Sequence, residues 1–368
     1  TCHEYRDVLP VLSEEDEGCM DCHRWPEADD AKAAERVSRL CLQCHLRHDE
    51  KVAHDAHLSV SCPACHLRGV VPVKDGASGQ VLWKVARVPG GVSEIHQMVR
   101  GSGEESCRRC HEKGNQVGAA GMVLPAKSLI CMPCHPATFS VCDTTTIIAL
   151  LIFLVGLICV GSVWLSGSLD AGIERKEEGK VLGIAKSVFG ALFSVRLFSI
   201  SKALLLDGLL QRRLFRQAKA RWAIHALIFL PFVFRFLWGG VGLVASLCRP
   251  DWQGTWVLLD KNHPATAFLF DLTGAMVVLG VVCAVVRRAR RPSEEILAGM
   301  PRPDWPANGL LAAIVLVGFL LEGMRIAMTG SPPGSEFAFV GYGLSRLFTD
   351  VDLTGLYGYV WHGHAILT

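Results

Sequence analysis

The sequence predicts two unlike halves: a mostly irregular N-terminal domain with short α-helices over residues 1–140, then an all-α transmembrane bundle over 141–368. Three observations predict this. Of the 15 cysteines, 12 fall before residue 143. Half of all residues are hydrophobic, yet nearly all the long apolar runs come after residue 143. The loops between those runs alternate between strongly basic and almost uncharged.

The cysteines fall into five complete Cys-x-x-Cys-His runs: Cys19, Cys22, His23; Cys41, Cys44, His45; Cys62, Cys65, His66; Cys107, Cys110, His111; and Cys131, Cys134, His135. This spacing is that of a c-type haem attachment site, in which two thiols add to the haem vinyl groups and the next histidine binds iron from one face. The chain opens Thr1-Cys2-His3, the tail of a sixth such motif, so the native N-terminus is expected upstream. One motif alone could be a redox dithiol or half a zinc site; five in one segment read as a multihaem cytochrome c. Six haems in 140 residues leave no room for an ordinary peptide core, so the domain is expected to be haem-packed, with little regular structure beyond the motif turns. Each iron needs a second axial ligand to be a low-spin electron carrier. His48, His54, His57 and His96 are the histidines outside the motifs, four for six irons. Met98, Met122, Met132 and Cys142 are the remaining options.

The second half reads as five spans, at about 144–169, 222–247, 265–286, 308–329 and 356–368, the last cut off by the end of the sequence. A span needs about 20 apolar residues, and a buried soluble helix of this length normally keeps a polar face. The stretch at about 181–221 alternates apolar clusters with lysine and arginine, as an amphipathic helix lying in the membrane interface would. The segment 170–221 carries 11 Lys/Arg and the loop 287–307 carries five, whereas 248–264 holds only Arg249 and Lys261, and 330–355 only Arg346. Basic loops stay in the cytoplasm, which puts the cysteine-rich domain outside, where covalent haem attachment takes place. The expected location is a bacterial inner membrane, multi-pass, with the haem c domain in the periplasm. The formal net charge of +2 says nothing about nucleic acid, but no basic run is interleaved with aromatics as such binding needs, so no nucleic-acid partner is expected. Cys142, Cys159, Cys248 and Cys283 lie at or inside apolar segments and read as small buried hydrophobes.

Ionisable residues inside spans mark sites or pairs. His225 lies one turn into the second span, in Arg221-Trp222-Ala223-Ile224-His225, and His362 and His364 lie in the fifth, in Trp361-His362-Gly363-His364. Together with Phe270-Asp271-Leu272-Thr273-Gly274 and the following Arg287-Arg288, their order over about residues 145–368 resembles the gamma subunit of respiratory nitrate reductase. It is closer still to the membrane subunits of heterodisulfide reductases and their relatives in sulfate reducers. That resemblance implies a cytochrome b with two b-type haems held by the second and fifth spans. His225 matches the inner-haem ligand, and His364 the outer one, with His362 the alternative. It also implies a quinone, menaquinone or ubiquinone, handled near the outer haem. The family expects a further histidine about ten residues after His225, where this chain has Arg235; one or two haem b groups are therefore expected.

The outer loop offers Asp260, Lys261 and His263 as quinone hydrogen-bond and proton groups. Glu322 and Arg325, three apart on one helix, read as a structural ion pair in preference to a proton path. The function so read is electron transfer between the quinone pool and periplasmic c-type haems, by an oxidoreductase subunit. Expected partners are a periplasmic cytochrome or dehydrogenase/reductase subunit and a cytoplasmic iron–sulfur subunit. A non-catalytic conduit and membrane anchor is the alternative, and a haem sensor is disfavoured because six haems exceed what sensing needs.

Overall fold

The computed structural model describes residues 57–66, 70–76, 78–85, 107–125, 131, 134–136, 144–166, 190, 193–194, 196–249, 252–290, 304–349 and 351–368. They belong to two compact units: one takes Thr1–Asp143, Arg235–Leu272 and Ala313–Thr368, the other Thr144–Phe234 and Thr273–Ala312.

In the cysteine-rich segment, α1 (Cys62–His66) packs against a hairpin of β1 (Val70–Lys74) and β2 (Val81–Val85), antiparallel with Val70 opposite Val85 and Lys74 opposite Val81. The sequence reading expected no such strands. Their cause is local: β-branched runs flank a turn from Asp75 to Gln80, where the Ser78 N–H donates to Asp75 at 2.8 Å. Leu82 and Trp83, each 2% exposed, fill the hairpin's core, and burial of this size stabilises by about 2–3 kcal/mol per side chain.

Among the described residues the apolar half is mainly helical: α2 (Thr144–Ser166), α3 (Arg196–Ala203), α4 (Arg212–Gln217), α5 (Lys219–Cys248), α6 (Gln253–Leu259), α7 (Pro264–Ala289), α8 (Asp304–Met328), α9 (Phe339–Ser345) and α10 (Thr354–Leu367). The runs around α5, α7 and α8 are long and apolar enough to cross a membrane, and only 17% of the most apolar window of α5 is buried. Its outer face (Leu237, Val241, Val244, Leu247) is exposed hydrocarbon. This is a multi-pass membrane protein. The uncharged α2 has the 23 residues a span needs, whereas α10 runs only 14; both remain spans by proposal.

Within the second unit, α7 lies against α5 at Gly280, where an added Cβ would stand 2.6 Å from Ile228. In the first unit, α8 and α9 meet through Gly323 and Gly341, small residues that let membrane helices approach. The stretch expected to be one interfacial helix is broken. Between α3 and α4 lie a single π-helical segment, Leu204–Leu209, and Gln211 at φ 51°. Arg212 and Arg213 both reach Asp207, at 3.1 and 3.4 Å, which folds the basic pair back across the break. Residues 181–189 of that stretch lie outside the described residues.

Candidate functional site

The three described Cys-x-x-Cys-His motifs share one geometry. In α1 and in the two later motifs a single helical turn closes, with the His111 N–H donating to the Cys107 carbonyl and the His135 N–H to that of Cys131, each at 2.9 Å. One turn puts residues i, i+3 and i+4 on the same face. Two thiols and an imidazole therefore project together, as thioether attachment plus one axial ligand requires. No described cysteine is in a disulfide. Burial and the neighbouring thiols of Cys110, Cys107 and Cys62 push the Cys65 thiol up to about 11, so the third and fourth motifs lie side by side. Cys2, His3, Cys19, Cys22, His23, Cys41, Cys44, His45, His48, His54 and His96 fall outside the described residues, as do Met98, Met132 and Cys142.

His57 faces His111, with ring centres 6.1 Å apart and planes at 77°. A metal held by two imidazole nitrogens at about 2 Å each, plus about 1 Å from each nitrogen to its ring centre, separates the centres by about 6 Å. The pair fits two axial ligands of one iron. The other nitrogen of His111 is fixed as well, Nδ1 donating to the Ala120 carbonyl at 3.0 Å, which leaves Nε2 with its lone pair for metal. Asn115 pins the residue before Ala120: its amide donates to Ala119 O at 2.8 Å, and its Oδ1 accepts from Ala119 N–H at 3.0 Å. Burial lowers the His111 pKa, with the Ala120 bond opposing, a shift in the direction of the neutral ring that metal ligation needs.

The fourth-motif loop docks on the start of α10. The N–H of Gly114 donates to Thr354 Oγ1 at 2.9 Å and that of Gly121 to Thr354 O at 2.8 Å, while the Met122 side chain lies over Gly358. Gly118 sits at φ 77° against the Met328 carbonyl, a position open only to a residue without Cβ.

The fifth motif meets residues of the apolar helices. His135 faces His364 of α10 with ring centres 6.0 Å apart and planes at 77°. His364 Nδ1 is buried with no hydrogen-bond partner among the described residues. His362 is exposed and packs instead on Trp361, 5.2 Å between ring centres. Arg235 donates to the Phe270 carbonyl, lies 5.1 Å from the centre of the Phe270 ring, and is close enough to Cys134 to oppose the rise that burial gives that thiol. His225 is exposed and touches Phe229, with ring centres 5.5 Å apart. No second described histidine is placed across from it.

The outer-loop residues are half-buried. Asp260 Oδ1 accepts the Asn262 N–H at 2.8 Å, so this carboxylate shapes its own turn. His263 Nδ1 is buried without a hydrogen-bond partner among the described residues, open to a carbonyl or hydroxyl brought by a carrier. Arg325 grips Glu322 with two bonds, 2.6 and 3.1 Å, and donates to Asn262 Oδ1 at 2.9 Å. Tyr357 and Asp260 lie within electrostatic reach of the same guanidinium. Tyr357 escaped the sequence reading because a lone tyrosine in an apolar run carries no spacing signal. Asp271, noted in the sequence only as part of a motif, accepts the backbone N–H groups of Val340 (2.6 Å) and Gly341 (3.1 Å) at the start of α9.

No protein-family model and no solved structure matches the chain. Among curated proteins it is similar to one of the subunits of dihydromethanophenazine:CoB–CoM heterodisulfide reductase, the same one in three species. The Methanosarcina thermophila protein is 26% identical over 195 residues, 49% of this chain and 70% of the relative. For Methanosarcina barkeri the figures are 25% over 183 residues, 48% and 69%. For Methanosarcina acetivorans they are 23% over 207 residues, 52% and 76%. The likeness, spread over about half of this chain, is to a component of a reductase, and it agrees in kind with the resemblance carried by the histidines and their order.

Proposed function

We propose that this chain transfers electrons between a quinone-type carrier dissolved in the membrane and a relay of c-type haems on its N-terminal segment, as a subunit of a larger oxidoreductase. The observation that carries this reading is the fifth motif: Cys134 and His135 lie beside Arg235 and His364, residues of the apolar helices. A one-electron centre at that point joins the cysteine-rich segment to the membrane helices. The relatives are named for dihydromethanophenazine, a reduced carrier, and a heterodisulfide, an electron acceptor, which supports a carrier-linked reductase subunit with electron-transfer partners.

The c-type haems, six if the opening motif is complete, supply one-electron redox centres. On this reading His57 and His111 would together hold one haem iron, and His225 would hold a b-type haem. His263 and Lys261 hydrogen-bond the carrier, with Asp260 beside them for its proton. In the oxidising direction a quinol loses two electrons and two protons; bound haems would accept the electrons one at a time, and Asp260, Lys261 and His263 of the outer loop would take the protons. Quinone reduction runs the same parts backwards. The location is the inner membrane of a bacterium, with the haem segment in the periplasm. A periplasmic cytochrome or dehydrogenase and a cytoplasmic iron–sulfur subunit complete the path.

The test uses the purified full chain in detergent with a reduced menaquinone analogue. Quinol should bleach oxidised c-haem and raise the reduced α-band. Cys131→Ala combined with Cys134→Ala, which removes the fifth haem, should slow that reduction at least tenfold. Wild-type rates in the double variant would place the membrane exit at another haem.

A further inference from the structure

His135 and His364 come from opposite ends of the chain, yet their rings are spaced as two ligands of one metal. The separation of 6.0 Å matches the about 6 Å set by two metal–imidazole bonds. It also repeats the 6.1 Å and the 77° of His57 and His111, a pair that likewise joins a motif histidine to one outside the motifs. We propose that His364 is the second axial ligand of the c-type haem attached at Cys131 and Cys134. A covalently bound haem then occupies the outer position for which the resemblance implies a b-type haem. This deepens the reading above and rests on it for the motifs carrying haem.

Three further observations point the same way. Arg235 stands where a second-span ligand would be needed to hold an outer b-type haem against His364, and a guanidinium has no lone pair to give. It is committed to the Phe270 carbonyl and ring, and its charge bears on Cys134, one of the two attachment points. The iron's other ligand is then His135, delivered by the motif itself. Of the two fifth-helix histidines, His362 is exposed and packed against Trp361, while His364 meets the His135 ring and is backed by Gly318 of α8, where an added Cβ would lie 3.6 Å from Cε1. Finally, the buried His364 Nδ1 has no hydrogen-bond partner among the described residues, so this nitrogen is open to a ligand.

The experiment compares wild type with His364→Ala and His364→Met in purified full-length protein, reading haem content and spin state. On this proposal His364→Ala converts one c-haem from low to high spin and makes it bind carbon monoxide. Acid-acetone-extractable haem stays unchanged, since the thioethers hold the haem without the ligand. Added imidazole restores the low-spin signal. His364→Met, which preserves bulk and a ligand, keeps that haem low-spin and raises its reduction potential, as a Met/His pair does. Loss of one extractable haem with every c-haem still low-spin would assign His364 to a b-type haem and overturn the proposal. No change in either readout would reduce the pair to an edge-to-face ring contact and overturn it too. Wild-type protein without covalent haem would instead sink the reading of the motifs, a failure visible before any variant is made.

Discussion

Glu322→Ala tests whether the charge pair in α8 is a structural clamp or a proton path. Arg325 makes three hydrogen bonds, at 2.6 and 3.1 Å to Glu322 and 2.9 Å to Asn262, and the paired side chains are only 18% and 22% exposed. Removing Glu322 leaves Arg325 hydrogen-bonded only to the neutral Asn262 amide, with Asp260 in electrostatic reach but not in contact. Breaking a buried pair from one side costs about 3–5 kcal/mol, and the residual exposure here argues for the lower end, about 3. Replacing both charges, Glu322→Leu with Arg325→Met, removes the desolvation cost together with the attraction and should cost about 1 kcal/mol or less. The measurement is a denaturant titration of the purified protein in mild detergent, followed by tryptophan fluorescence, alongside the rate of c-haem reduction by quinol. A clamp predicts that the double variant is more stable than Glu322→Ala and keeps its electron-transfer rate. A folded double variant with its rate abolished would move the pair into a proton path. A single variant that loses less than about 1 kcal/mol would refute the energetic reasoning.

Two further outcomes follow from the histidines. His57→Ala should turn one c-haem high-spin and competent for carbon monoxide, read by electron paramagnetic resonance and the optical spectrum; an unchanged spin count would free His57 from the iron of the fourth motif. His225→Ala should remove one extractable b-type haem and leave the covalent haem content intact, because the ligand of a non-covalent haem is also its anchor. A full pyridine-haemochrome b signal in that variant would take His225 off the ligand set.

Legibility followed the physical range of each signal. Hydropathy reports a segment's own transfer energy, so the apolar runs at 222–247 and 265–286 return as Lys219–Cys248 and Pro264–Ala289, with ends moved by one to three residues. Cysteine spacing is equally local, and each described motif winds the single turn it encodes. The hairpin at Val70–Lys74 and Val81–Val85 is short, and its runs VVPVK and VLWKV carry valines but no clean alternation, so its signal is weak beside the haem motifs. The stretch after residue 181 kept its amphipathic composition but not its continuity, since the Asp207–arginine contacts and the positive φ of Gln211 carry no hydropathy signal. What sequence could not supply was pairing over distance. Nothing in the spacing says that His57 belongs opposite His111, or His135 opposite His364, because such partnerships are set by tertiary packing, as where the fourth-motif loop seats on Thr354 and Met328.

Arg235 shows how the two halves constrain each other. A b-type haem stays in a membrane bundle through its ligands and its apolar walls, so exchanging a second-span ligand for a guanidinium would release it. A thioether-bound haem has no such requirement: the attachment at Cys131 and Cys134 holds it, and the motif brings its own histidine. On the proposed assignment, the arginine in α5 and the motif before Thr144 are therefore two parts of one exchange, in which the covalent site supplies the ligand that the span lacks. The guanidinium then adds a fixed positive charge beside the iron, which favours the ferrous over the ferric state and raises the potential of that centre. An electron leaving a membrane carrier would then meet an iron made more attracting by that charge, at a motif whose own histidine meets a residue of the apolar helices. Arg235→Gln, which keeps a donor for Phe270 but removes the charge, should accordingly lower the potential of the fifth haem alone in a redox titration. An equal shift at every haem, or none, would detach the arginine from that site.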